Sequence, residues 1–567
     1  MTKSFPASAG IALFGAVLAL AGCGGGSSNS PTTPLVTPPP ITPPPPPAPP
    51  VVVVDPQYLA SALSPFAAGC DGVAAAGVLY VNAEVEPYLA INPQNTHNLA
   101  AVWQQDRWSS GGARGIVSGL SLDGGVTWNQ HAMPFTRCGG GTIANGGDYA
   151  RASNAWMSFA PDGAAYQLAL AFDGQALAAG SVSAVLASRS GDGGKTWGAN
   201  VTLIRDVATA FNDKPAILAD PTNAKFVYAV WDRLTTSNFG PSYFTRSSDS
   251  GASWETARPI YDPGLNNQTI ANVVVVLPNG TLVNLYTEID TATNGITTTF
   301  LALIRSTDNG VTWSTPIKVA DMFSVGTRDP DTGTAIRDSS LVAEIAVGPG
   351  GSLNVVWQDS RFSNGARDGI AISRSIDGGF TWSAPTRINS VATTPAFSPF
   401  VHVRGDGMIG VTYYDFRSNT TDRATLFTDY WLARSSDGMT WQENQIASPF
   451  DLALAPVTTS PGTGGFFLGD YQGLASVGTL FVPLFAQTNS GNTNNRTDIF
   501  AAPTISVTSG AAAMTSRSEV SNTTSSVTSM QITPELQQRV HENTLRVMQH
   551  RVPGWHGNAQ SQSAPQQ

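Results

Sequence analysis

Between residues 76 and 505, short apolar or alternating segments of strand length recur, separated by turns rich in Gly, Asp, Asn and Ser. The first pair is Glu86-Pro87-Tyr88-Leu89-Ala90-Ile91-Asn92-Pro93, then Leu99-Ala100-Ala101-Val102-Trp103. Counterparts begin near Arg151, Lys214, Thr269, Ser339 and Ser398, and their second strands are expected to end at Trp231, Tyr286, Trp357 and Tyr414. A third strand then leads into a turn and a fourth leaves it. A last set, at 467–471, 480–485 and 498–505, supplies three more strands, and residues 77–82 are the expected fourth. Closing a ring with strands from both ends removes free sheet edges.

The turn between third and fourth strands has its own signature. SLDGGVTW at 121–128 returns as SGDGGKTW (190–197), SSDSGASW (247–254), STDNGVTW (306–313), SIDGGFTW (375–382) and the shorter SSDGMTW (435–441). Asp and Ser side chains can bond the turn's own backbone, Gly supplies positive φ, and the Trp offers a large ring for burial. The tryptophans follow one another at 57 to 69 residues, a period that suits one four-stranded blade.

These boxes resemble the Asp-box, or BNR repeat, of the sialidase (neuraminidase) superfamily. The resemblance implies an all-β propeller over 76–505, with any active site on the face away from the boxes; the strand sets, closed from both ends of the chain, favour seven blades, with six as the alternative. It also implies glycan chemistry: sialidases use three arginines on the substrate carboxylate, a Tyr–Glu nucleophilic pair and an acidic Asp. Where that family opens its first blade with an arginine motif, this chain has Glu86-Pro87.

The ends of the chain read differently. Residues 1–23 have Lys3, an apolar run and Leu20-Ala21-Gly22-Cys23, which looks like a bacterial lipobox, with Cys23 as the lipidated residue. Residues 24–55 are Gly-, Ser- and Pro-rich and predict an extended spacer. An exported protein anchored by lipid to the bacterial outer membrane or cell surface is expected, with no spanning segment. Cys70 and Cys138 then form a disulfide or remain two thiols. Residues 506–532 predict a flexible tail, 533–551 a helix capped by Thr533-Pro534-Glu535, and 552–567 a disordered end. Leu536, Val540 and Val547 share a helix face that packs on the propeller or meets a partner.

Charge narrows the function. A net charge of −10 argues against a nucleic-acid partner, and scattered His and Cys predict neither a metal nor a cofactor. A monomer is expected. The face opposite the boxes gathers polar residues just ahead of the first strands. The catalytic candidates are Glu86, Asp213, Asp338, Asp470 and Tyr471. The substrate-binding candidates are Asp148, Tyr149, Arg151, Lys214, Arg337 and Gln472; Gln268 and His402 complete the ring. Paired carboxyls there would serve glycosidic cleavage, and arginines would grip an acidic sugar. From the resemblance, Arg151 and Arg337 would be arms of a carboxylate clamp, and Tyr471 with Glu86 or Glu288 a nucleophile pair.

A second constellation recurs too regularly to be catalytic. Asp106-Arg107, Asp232-Arg233, Asp359 with Arg361 and Asp415 with Arg417 each follow an aromatic residue, which predicts pairs bracing adjacent blades. The functional expectation is a glycoside hydrolase acting on acidic or complex glycans, with a polysaccharide lyase as a variant. The alternative is a non-catalytic surface propeller that binds glycan or protein.

Overall fold

The structure, a computed structural model, describes residues 56–72, 77–236, 240–459, 464–503, 519–521 and 530–551. The export signal with Cys23, the 24–55 spacer, nearly all of the 506–532 tail and the 552–567 end lie outside the described residues.

Apolar alternation becomes a nearly all-β, propeller-like fold of four-stranded antiparallel sheets with, among the described residues, one α-helix. Each sheet is laid down by consecutive strands. The first comprises Leu79–Ile91, Leu99–Trp108, Ala113–Ser121 and Asn129–Ala132, and the third Ala210–Ala219, Val227–Thr235, Ser242–Ser247 and Arg258–Tyr261. The second strands do not end at their aromatic residues. Val227–Thr235 runs on past Trp231, and the indoles of Trp103, Trp231 and Trp357 are fully buried between neighbouring sheets. The fifth sheet starts later than expected, at Glu344 rather than Ser339, because the preceding Ile336–Arg337 pairs instead with Phe466 and Phe467.

The last set, Gly473–Val477, Leu480–Thr488 and Thr497–Ala501, does receive a strand from the other end of the chain, but not residues 77–82. Tyr58–Leu59 lies antiparallel on Phe500 and Ala501. Leu79 and Tyr80 run straight on into the first sheet, where Trp108 and Arg107 are their partners; towards the last set the strand makes a parallel ladder pair at Ala83 and Thr497, and Asn82 donates to Asn494 O (3.3 Å). The folded region therefore begins before residue 76. A Cys70–Cys138 disulfide fastens this segment to the loop after the first box.

The boxes behave as self-bonded turns. Ser190 Oγ donates to Asp192 Oδ1 (2.7 Å) and accepts from the Gly194 N–H (2.8 Å), while Asp192 accepts from the Thr196 N–H (2.9 Å) and hydroxyl (2.7 Å). Box carbonyls then receive an arginine from the preceding sheet, as Asn309 receives Arg246 Nη1 at 2.5 Å. The boxes lie far from the polar ring. In the third sheet the box residue Ser247 faces Val227, whereas Asp213 faces Asp232, about 17 Å further along the strand.

One irregularity repeats. Five first strands carry a β-bulge whose leading residue is left-handed though not glycine: Glu86, Asn154, Lys214, Ala271 and Ser398, with φ between 46 and 57°. Backbone strain of this kind persists only where surroundings fix it. The preceding sheet helps do so: Asp232 Oδ1 accepts the Ala271 N–H (3.2 Å), and Gln358 Oε1 accepts the Ser398 N–H (3.0 Å).

The helix α1, Pro534–Arg551, packs on this bulged end of the sheets rather than standing free. Leu536, Val540 and Met548 are buried, and His541 Nδ1 accepts the Thr297 N–H at 3.1 Å.

Candidate functional site

The bulged ends surround a cavity of about 630 Å³, within the range of small-molecule sites. Of the sequence-predicted residues, Arg151, Asp213, Lys214, Arg337, Asp338 and Asp470 line it. Bulging re-aims side chains, and at Lys214 and Asn154 it turns what would be regular strand positions onto the cavity wall.

Asp470 is the electrostatic centre. Its carboxylate accepts from Lys214 Nζ at 2.5 Å and from Arg337 Nη2 at 3.0 Å and Nε at 3.3 Å. Burial alone would raise this carboxyl, but the Arg337 guanidinium and the Lys214 ammonium outweigh it and hold it far below the usual range. Glu86 lies just behind, its Oε1 accepting the Asp470 N–H (3.2 Å) and its Oε2 accepting from Gln104. Burial, then the charge on Asp470, raises the Glu86 carboxyl. Glu344, also buried, is pushed up to about 8 by burial against the pull of Lys214, so a neutral acid sits in this layer at pH 7.

Asp338 is held from several sides: its Oδ2 accepts from the Thr327 N–H (2.6 Å) and Gln358 Nε2 (2.9 Å), and its Oδ1 from Ser340. Asp213 is bonded by Arg551 Nε at 2.7 Å, from the last residue of α1.

Several predicted residues do not reach the cavity. Tyr471 is buried beneath it against Tyr88 and Trp156, and its hydroxyl faces the Ala155 carbonyl at 3.4 Å, so it forms no nucleophile pair with Glu86. Glu288 bonds Tyr261 instead (3.0 and 3.1 Å) and does not line the cavity. Tyr149 is packed in a core cluster, and Asp148 is taken by Arg137 Nε (2.6 Å), which also holds the wall residue Asp173. Gln472 and Gln268 are fully buried, the former accepting the Ala486 N–H. His402 is half-buried beside Ser476 and pushed down to about 4 by desolvation, then by Arg404.

The aromatic-Asp-Arg theme divides. Asp359–Arg361 and Asp415–Arg417 are ion pairs within their own turns, at 2.8 and 2.7 Å. Arg233 turns to Asp206 instead (2.7 Å), leaving Asp232 to Ala271 and Arg551. Arg107 is a cavity residue that its place in the repeat concealed. It donates to Gln104 (2.6 Å) and shares the Phe467 ring with Arg337, both guanidiniums within 4.6 Å of its centre. Burial, then Arg337, pushes Arg107 down to about 9. Arg151 lies over Trp108 and donates to Gly111 O at 2.7 Å. Among the described residues neither Arg107 nor Arg151 forms an ion pair with a carboxylate. Among those residues, too, no group of three or more His, Cys, Asp or Glu side chains is placed to hold a metal. No helix there is long and apolar enough to cross a membrane.

No family model and no curated protein sequence matches the chain. The solved structures it is similar to include sialidases and related glycoside hydrolases. They include the Hadza microbial sialidase Hz136 (17% identity, 73% of this chain and 75% of that one, TM-score 0.40). They also include the leech intramolecular trans-sialidase complexed with 2,7-anhydro-Neu5Ac (12%, 71% and 82%, TM-score 0.40). A third is the Penicillium chrysogenum α-L-arabinanase complexed with arabinobiose (14%, 62% and 93%, TM-score 0.36).

Proposed function

We propose that this chain is a glycan-active hydrolase whose cavity takes an acidic sugar, carried on a seven-bladed propeller. Six sheets have four strands of their own, and the seventh is completed by Tyr58–Leu59, which supports the count of seven. The Leu20-Ala21-Gly22-Cys23 sequence supports export and lipid anchoring at the outer membrane or cell surface. The protein acts as a monomer.

The observation that carries the reading is the pairing, in one cavity, of two guanidiniums without a carboxylate partner among the described residues, Arg107 and Arg151, with the carboxylates Asp213, Asp338 and Asp470. The arginines would bind a sugar carboxylate. Asp470, kept ionised by its two cations, would favour positive charge building at the anomeric carbon, and Asp213 is the carboxylate for attack or base work there. A second reading, a non-catalytic glycan-binding propeller, is favoured by one fact. Asp213 and Asp470 are tightly ion-paired and Asp338 is saturated with hydrogen bonds, so none of the three is poised as a proton donor.

The test is sugar release from a panel of sialylated and uronate-rich glycans, with calorimetric binding alongside, for the wild type and folded Asp213→Ala. Release that disappears in the variant while binding persists supports the hydrolase. Binding with no release from any glycan leaves only the second reading, and no binding removes both.

A further inference from the structure

The sequence leaves α1 without a role, yet its last turn is part of the cavity. The helix is about 27 Å long, and it crosses the ends of several sheets. Leu536 sits against Gly365, where an added Cβ would lie 2.7 Å from its Cδ1, and Arg539 donates to the Gly365 carbonyl. Further along, Asn543 donates to Ser324 O (3.3 Å) and Arg546 Nη1 to Ile336 O (2.9 Å). Arg546, Val547 and Arg551 then form one side of the cavity.

What the two arginines do there follows from charge. Asp213 and Asp232 face each other directly across two strands, and both are buried. Like charges in that position repel. Arg551 lies between them, with Nε on Asp213 (2.7 Å) and Nη2 against Asp232. Arg546 has only a distant carboxylate, Asp338 at 3.8 Å. Leaving the helix aside, the lining cations Arg107, Arg151, Lys214 and Arg337 are matched by the carboxylates Asp213, Asp338 and Asp470 with Asp232 behind them, and the further wall residue Asp173 is already held by Arg137. That set would be neutral. The helix brings in the two cations that make it positive. Arg551 Nη1 is buried without an acceptor among the described residues, while Arg546 bonds only neutral groups closely, Ile336 O and, through Nη2, Asn543 Oδ1 (2.8 Å). Burial lowers both guanidiniums against the pull of Asp338 and Asp213.

We propose that α1 is the ligand-selecting wall of this cavity: Arg546 faces the anionic group of the sugar, and Arg551 is a positioning residue that holds Asp213. This rests on the acidic-glycan reading. A helix that merely braced the sheets would set stability without distinguishing ligands. A helix that plugged the cavity would weaken binding for every ligand alike.

The experiment titrates the full chain with sialyllactose and glucuronate oligosaccharides, and with the same sugars after reduction of the carboxyl to an alcohol. The variants are Arg546→Gln, Arg551→Gln, Arg551→Lys and, as a control on the same helix, Arg539→Gln. Hydrogen exchange of the α1 amides reports whether the helix stays docked. Arg546→Gln is expected to lose about tenfold or more in affinity for the acidic sugars and nothing for the reduced ones, so the preference for the carboxylate falls. Arg551→Gln should weaken the acidic sugars too, with Arg551→Lys restoring part of the loss, and Arg539→Gln should change neither. If Arg546→Gln undocks the helix, Arg546→Lys keeps the charge and is expected to keep the preference. An unchanged preference in the docked Arg546→Gln protein overturns the proposal while leaving the glycan reading intact, as does tighter binding of both sugar forms. A wild type that binds no acidic sugar overturns both.

Discussion

Replacing Asp470 by Asn keeps the shape of the side chain and removes one charge from the point where four distant parts of the chain meet. Its carboxylate is only 5% exposed and holds Lys214 (10% exposed) and Arg337 (22%), 256 and 133 residues away. Its own N–H goes to Glu86 and its carbonyl accepts from Ser339. Breaking a buried pair by removing one partner costs about 3–5 kcal/mol, because the other charge remains buried without compensation. Here the low end applies. Arg337 keeps some contact with water, and Glu86, whose carboxyl is raised by burial and then by the charge on Asp470, would ionise more readily once that charge is gone. The expected loss for Asp470→Asn is therefore about 3 kcal/mol at pH 7. The pH dependence has a definite sign. A carboxyl depressed on folding adds stability that is complete above its unfolded pKa, about 4, and lost as pH falls below it. Urea midpoints of both proteins at pH 7 and at pH 3 would measure this. The gap should be widest at pH 7 and narrow at pH 3. Equal midpoints at pH 7, or a gap that widens on acidification, would refute the reasoning.

Glu344 titrates in the opposite sense: raised to about 8 by burial, it adds stability at low pH that drains as pH climbs from its unfolded value towards 8. Urea midpoints of the wild type should therefore fall between pH 6 and 9, and Glu344→Gln should remove on the order of 2 kcal/mol of that fall; parallel profiles would count against it. Opening the Cys70–Cys138 bridge, which closes a loop with a sequence separation of 68, should cost about 4 kcal/mol by chain entropy, read as a lower melting temperature of the Cys70→Ser/Cys138→Ser protein. That loop carries Arg137, which holds Asp173 in the cavity wall, so ligand affinity should fall with it.

How much of this was legible depended on range. The box turns were readable because their bonds run from one residue to the next four: Ser190, Asp192, Gly194 and Thr196 dictate one another. The strand pattern was readable for the same reason, and with it the separation of boxes from the polar ring. The partners within that ring were not. Lys214, Arg337 and Asp470 stand in different sheets and connecting segments, and only closure of the ring brings them together. Tyr149 and Tyr471 stand just ahead of strands on the face opposite the boxes, but a tyrosine beside a strand start turns as readily into the core as towards water. Arg107 is concealed by the regularity of its sequence neighbourhood. It follows the repeat in sequence, yet its neighbours differ from those of Arg361 and Arg417, whose aspartates lie two residues away.

The bulges explain why the rule that a functional residue should break the repeat still holds, though at a different position. The left-handed residue recurs in five first strands, so the backbone obeys the repeat, while the side chain it carries is Glu86, Asn154, Lys214, Ala271 or Ser398. A feature kept for folding alone would favour glycine or asparagine at every such site, since those residues enter this region at least cost. Instead the strain is borne by a carboxyl and an ammonium that both bear on Asp470. The scaffold thus fixes where a side chain is presented, and the sequence varies what is presented there. Charged residues fill that place in the first sheet at Glu86 and the third at Lys214, which both bear on Asp470, while Asn154 between them and Ala271 and Ser398 beyond leave it uncharged. That asymmetry, rather than the boxes, is what distinguishes a binding cavity from an evenly lined channel.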